Sequence, residues 1–286
     1  MKITVQDFTG VYDYQPFMQE LRAAAETNKD IRWLNCTKIV GTDCYCDDEA
    51  VKTINEMIDE AENRDSTESN CIIKNRGNSA NMPAIHFFDN GNYHYMSKLW
   101  TDRVQEPFTL IVFDHHPDMQ PPRFGGILSC GGWVKEVLDN NKFIQNAIII
   151  GVKDELVETV REEIASHPAS TRNDKVSFIR ESELEFLTPH LKGTQCRPHT
   201  PNLYISIDKD ALSSAYAATN WDQGLLTLDA LKECITTLAT GRKILGIDIC
   251  GERAHDFEGN EHHTVQEADT LNNALNRELV EFLQKI

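Results

Sequence analysis

Apolar residues along this chain fall into short unbroken runs separated by amphipathic stretches. Lys2 to Val5, Ala84 to Phe88, Thr109 to Phe113, Asn146 to Val152, Val176 to Ile179, Leu203 to Ile207 and Lys243 to Ile249 are rich in Ile, Val, Leu and Phe. Each is too short for a helix and predicts a strand. The stretches between them carry helical spacing. After Asp47, a good N-cap, Val51, Ile54, Met57, Ile58 and Ala61 line one stripe. From about Val265 to Leu283 the same holds for Ala268, Leu271, Ala274, Leu275, Leu279 and Phe282. The acidic run Glu181 to Glu185 reads as a solvated helix start. Strands alternating with helices predict a three-layer αβα sandwich with a mainly parallel central sheet. Uninterrupted apolar runs agree, because such strands are buried on both faces. Asn63 to Asn81 is a polar surface excursion and Thr188 to Pro201 a loop. Neither has linker composition, so residues 1–286 are read as a single α/β domain.

Composition narrows the partners. The formal charge is 28 − 45 = −17 and the pI about 5.0, which disfavours nucleic acid and anionic membrane surfaces. No apolar run reaches membrane-spanning length. The first residues lack a basic head and a long apolar segment, so the expected location is cytoplasmic. Eight cysteines include no C-x-x-C pair. Cys44 and Cys46, with Cys36 upstream, leave a soft-metal site open, against the plainer reading of reduced, buried thiols.

Chemistry gathers where the predicted strands end. Thr109 to Phe113 runs into Asp114-His115-His116-Pro117-Asp118, and Leu203 to Ile207 runs into Asp208-Lys209-Asp210. His94 follows the strand ending at Phe88. In an open parallel sheet, ligands bind beyond the carboxyl ends of the strands. Alternation would point Asp114, His116 and Asp118 one way, Asp208 and Asp210 likewise, and Lys209 away. Carboxylate oxygens mixed with imidazole nitrogens suit a divalent first-row metal. His255, His262 and His263 read instead as a surface loop before the last helix. Asp114-His115-His116 also matches the triplet of DHH-type manganese phosphoesterases. Those carry a D-x-D motif before the triplet, whereas Asp208-Lys209-Asp210 follows it here.

D-x-H-x-D after one strand, S-x-D-x-D (Ser206 to Asp210) after a later one, and an earlier Gly91-x-x-His94 together resemble the ureohydrolase family of arginase, agmatinase and formimidoylglutamase. Gly224-Leu225-Leu226-Thr227 resembles that family's Gly-Gly-Leu-Thr turn, and Gly246 to Ile249 its last core strand. The resemblance covers about Ala84 to Glu252; residues 1–80 match less well. It implies an arginase-like fold and two Mn²⁺ ions per chain, held by His94, Asp114, His116, Asp118, Asp208 and Asp210. Asp114 and Asp208 would bridge, His94 and Asp118 would complete one site, and His116 and Asp210 the other. A water between the ions would lose a proton and attack a guanidino, amidino or formimino carbon, cleaving a linear C–N bond. Asp118 would carry the proton to the leaving amine. Four aspartates balance two divalent ions and a hydroxide leaves one negative charge, which favours a small cationic or neutral substrate. Family members form trimers or hexamers, so a homo-oligomer is implied.

The departures concern substrate and proton transfer. Trp133 stands near the family's proton-shuttling His, and indole does not exchange protons; the sequence reading takes Trp133 as packing. His115 is the substitute candidate. The family's guanidinium-holding Glu corresponds to Glu252, one position late. A metal-binding member of the fold without catalysis is therefore the alternative to a hydrolase.

Overall fold

The computed structural model describes residues 1–63, 83–122, 125–166, 175–186 and 196–286. The excursion over 64–81 and the loop over 188–195 lie outside them, as does Cys71. In chain order the described elements are β1 (Lys2–Asp7), α1 (Pro16–Ala24), β2 (Ile31–Asn35), β3 (Tyr45–Cys46), α2 (Asp48–Asn63), β4 (Ala84–Phe87), α3 (Met96–Thr101), β5 (Phe108–Phe113) and β6 (Leu128–Ser129). They continue with α4 (Trp133–Asn140), β7 (Ile144–Val152), α5 (Asp154–Ser166), β8 (Val176–Arg180), β9 (Asn202–Asp208), α6 (Leu228–Ala239), β10 (Lys243–Cys250) and α7 (Val265–Leu283). Eight strands form one sheet in the order β2-β1-β4-β10-β9-β5-β7-β8. Every pairing in it is parallel. A two-stranded antiparallel ribbon, β3 with β6, stands apart.

Side-chain alternation gives the sheet two cores. On one face Ile85, Phe87, Ile111, Phe113, Ile205, Ile207, Ile247 and Ile249 pack under α1, α6 and α7 through residues such as Met18, Ile235 and Leu279. On the other, Leu110, Val112, Ala147, Ile149 and Cys250 meet α2, α3 and α4 through Ile54, Leu99 and Val137. Burial on both faces is why the strand runs lack polar alternation.

All seven strands expected from the sequence form. β2 was not expected. It is an edge strand, mostly half-buried, and Arg32 interrupts its apolar pattern. α2 begins where Asp47 predicts, with Ala50 N donating to Asp47 Oδ1 at 2.9 Å. α7 matches its predicted span and opens with a capping box between Thr264 and Glu267. The acidic run forms a 3₁₀ turn, Glu181–Phe186, in place of an α-helix start.

Register sets the stage for chemistry. Phe113 pairs with Ile207, so Asp114 and Asp208, the next residues, emerge level. Cys250 pairs with Asp208 on the other side. Three adjacent central strands thus deliver Asp114, Asp208 and Cys250 to one rim.

Candidate metal centre

Asp114, His116 and Asp118 converge, but through turns in place of the expected extended alternation. Asp114 Oδ1 accepts from His116 N at 2.6 Å, which folds the chain just after β5. Asp118 sits at φ 47°, in the left-handed region. Its carbonyl accepts from Val134 N at 3.1 Å, tying it to the start of α4. Asp208 Oδ1 accepts from Asp210 N at 3.0 Å in the same manner.

Two ligand groups result. His94 Nδ1 lies 3.1 Å from Asp114 Oδ2, 3.1 Å from Asp118 Oδ2 and 3.4 Å from Asp208 Oδ2. His116 Nδ1 lies 2.9 Å from Asp210 Oδ2 and 3.5 Å from Asp114 Oδ1. The two oxygens of Asp114 therefore face the two histidines. Ligand atoms of His94, Asp114 and Asp118, and separately of Asp114, His116 and Asp210, all lie within 4.8 Å of one another. Asp208 is turned to the His94 side. Asp114 enters both of these groups.

Every residue of the cluster is buried except His116, which is partly exposed. His94 Nδ1 and Asp114 Oδ2 are buried atoms without a hydrogen-bond partner, facing each other across 3.1 Å. Such a pair is costly unless something binds there. Burial, and then the neighbouring Asp210, push Asp208 up to about 7; burial and Asp114 push Asp210 up to about 6. Burial alone would lower both histidines. Contacts with Cys250, Asp114 and Asp118 overcome it and hold His94 well above its ordinary value. Asp114 and Asp210 hold His116 up to about 12. The donor set is one that could hold divalent metal.

Outer partners orient these ligands. His94 Nε2 meets Ser206 Oγ at 2.8 Å, which leaves Nδ1 for the carboxylates. His116 Nε2 meets Asp222 Oδ1 at 3.0 Å, and Asp222 also reaches Lys153 at 3.5 Å. Such carboxylate–histidine pairs fix ring orientation in metal sites. Trp133 is fully buried, as packing would have it, but its indole Nε1 also donates to Asp118 Oδ2 at 2.6 Å. The sequence reading missed Asp222 and the indole donor. Ser206 was legible, lying two residues before Asp208 on the same face.

His115 is buried beside the centre. Its backbone N donates to Asp210 Oδ1 at 3.0 Å, and its ring nitrogens lie 3.3 Å from Glu181 Oε2 and 3.6 Å from Asp222 Oδ2. Glu252, the residue the sequence offers for holding substrate, lies next to a strand end at Gly251 and is fully buried. Gly251, at φ +92°, ends the strand, and a Cβ there would lie 2.3 Å from Asp208 Oδ1. No glutamate can occupy 251 unless Asp208 moves. Glu252 itself is buried, ion-paired with Lys209, and accepts from Gln15 Nε2 and Asn276 Nδ2 at 2.8 Å each. Lys209, at the start of the turn that follows β9, is directed to Glu252. Cys36, Cys44 and Cys46 enter no group of three metal-ligating side chains among the described residues. His263 Nε2 bonds to Ser214 O at 2.7 Å, and His255 and His262 are exposed.

The model of the arginase family matches residues 93–265. The chain belongs to the arginase family. That removes the phosphoesterase alternative. An uncharacterized protein of Thermotoga maritima is 27% identical over 168 residues, covering 59% of this chain and 58% of that protein's own length. The fold resembles the agmatine ureohydrolase of Thermoplasma volcanium (TM-score 0.60, 14% identity, 99% of this chain and 89% of that one). It also resembles Bacillus subtilis formimidoylglutamase (0.58, 12%, 99% and 86%) and Bacillus caldovelox arginase (0.56, 16%, 96% and 97%). At these identities the likeness concerns the fold. Among the described residues no helix is long and apolar enough to cross a membrane.

Proposed function

We propose that this arginase-family member is a metal-dependent hydrolase of a linear C–N bond in a guanidino, amidino or formimino compound. The observation that carries the reading is the pair of ligand groups sharing Asp114, with orphaned buried atoms on His94 and Asp114. His94, Asp114, Asp118 and Asp208 would hold one cation; Asp114, His116 and Asp210 would hold the other. Mn²⁺ suits so oxygen-rich a donor set. When bound, the ions supply Lewis acidity that activates water at neutral pH.

The chain's own groups do the rest. Asp118 carries a proton from the attacking water to the leaving amine. Trp133 fixes Asp118 by one oxygen, taking the orienting place that a shuttling His would occupy without its proton exchange. His115, buried between Glu181 and Asp222 beside the cluster, is the candidate proton relay in place of that His. Trp221, exposed, stands edge-on to His116 with ring centroids 5.7 Å apart. Its face offers a flat wall for a planar guanidinium. The acidic cluster favours a small cationic or neutral substrate over an anionic one.

Trp133 also supports a second reading, a metal-binding member without hydrolysis. Metal-loaded protein should be offered a panel of guanidino, amidino and formimino compounds, with urea, ammonia and formamide as readouts. Release from one class, abolished by Asp118→Asn, is the expected result. A full metal complement with no turnover on the panel would favour the second reading.

A further inference from the structure

We propose that Cys250 is a thiolate ligand of the cation held at His94, which makes that half of the centre selective for thiophilic ions. This rests on the metal-centre reading above. The register that pairs Cys250 with Asp208 places the sulfur at the same rim as the carboxylates. Cys250 Sγ lies 3.2 Å from Asp208 Oδ2, the oxygen that faces His94 Nδ1 at 3.4 Å. Ligand atoms of His94, Asp208 and Cys250 all lie within 4.8 Å of one another, a third group that shares two residues with the His94 site. All three residues are buried. Among the described cysteines, Cys250 alone enters such a group.

The chemistry separates the two halves. Asp114, His116 and Asp210 offer oxygen and nitrogen, a set suited to Mn²⁺. His94 with Asp114, Asp118, Asp208 and Cys250 adds sulfur, which favours Zn²⁺ or Co²⁺ over Mn²⁺. Binding forms the sulfur–metal bond and releases the thiol proton to solvent. Mn²⁺ fills both halves when supplied alone; in competition, the thiophilic ion takes the His94 half.

The test is Co²⁺ titration of full-length metal-free protein, read by metal content per chain and by the near-ultraviolet sulfur-to-cobalt charge-transfer band. The expected result is close to two Co²⁺ per chain with a band that Cys250→Ser abolishes and Cys44→Ser leaves intact. Zinc-edge X-ray absorption of unmutated protein checks the same ligand without a variant, through a sulfur scatterer at about 2.3 Å. In Zn²⁺/Mn²⁺ competition, Cys250→Val should lower the preference for zinc at one site at least tenfold. Two Co²⁺ per chain without a band, or with a band unchanged in Cys250→Ser, would overturn the sulfur ligand and leave the binuclear centre standing. No cobalt uptake would overturn both.

Discussion

Replacing Lys209 with methionine strips the positive partner from Glu252 while keeping most of the side-chain volume. Lys209 is fully buried, Glu252 likewise, and they form an ion pair. Gln15 and Asn276 remain as neutral donors to the Glu252 carboxylate. An uncompensated buried charge of this kind costs about 3–5 kcal/mol. Adding Glu252→Gln to the same chain removes the charge and keeps a carbonyl oxygen for one of the two amides, which bond to different carboxylate oxygens. The double variant should recover part of the loss, a coupling of up to about 3 kcal/mol. The assay is urea unfolding of metal-free protein followed by tryptophan fluorescence, with all variants freed of metal so that bound ions do not mask the difference. Lys209→Met within about 1 kcal/mol of wild type would refute the reasoning. An unchanged stability combined with a large loss of substrate affinity would return Glu252 to the substrate-holding role.

Trp133→Phe keeps the packing but removes the donor to Asp118, and should weaken the His94-side ion by about 10–100-fold while sparing the other; two-site metal titration checks this, and uniform weakening would contradict it. Asp114→Asn should lower occupancy of both sites, and His116→Ala of one, by metal analysis; equal loss of a single ion in both variants would defeat the shared role of Asp114. Stability should also depend on pH in a metal-specific way. Asp208 and Asp210 are raised to about 7 and 6 from 3.8, so their contribution is complete below about pH 4 and lost as pH rises to about 7. His116, raised from 6.5 to about 12, contributes fully below pH 6.5 and loses that stabilisation above it. Both have the same sign, so the metal-free protein should melt lower at pH 8 than at pH 6, and bound Mn²⁺ should raise the melting temperature more at pH 8. A metal-free protein that melts higher at pH 8 would contradict this.

Strand and helix order was legible because burial on both sheet faces leaves long apolar runs that few other arrangements produce. β2 escaped because an edge strand is half-exposed and tolerates Arg32. The six candidate ligands were legible as types and spacings, since five of them follow closely on β5 and β9 and His94 follows β4 by a short turn. How they converge was not. Hydrogen bonds from His116 N to Asp114 and from Asp210 N to Asp208 fold each segment, and these depend on local backbone geometry. Asp222 and Glu181 reach the centre from segments distant in sequence, so no spacing could reveal them. Glu252 was offered on a one-residue offset that looks small in sequence. With Gly251 at positive φ, that offset directs the side chain beneath α7.

Anomalous diffraction at the manganese edge, on crystals of the full-length protein grown with Mn²⁺ as the only divalent ion, tests the central claim most directly. Two peaks flanking the Asp114 carboxylate, one beside His94 and one beside His116, are expected. A single peak, or none within reach of Asp114, would contradict the account.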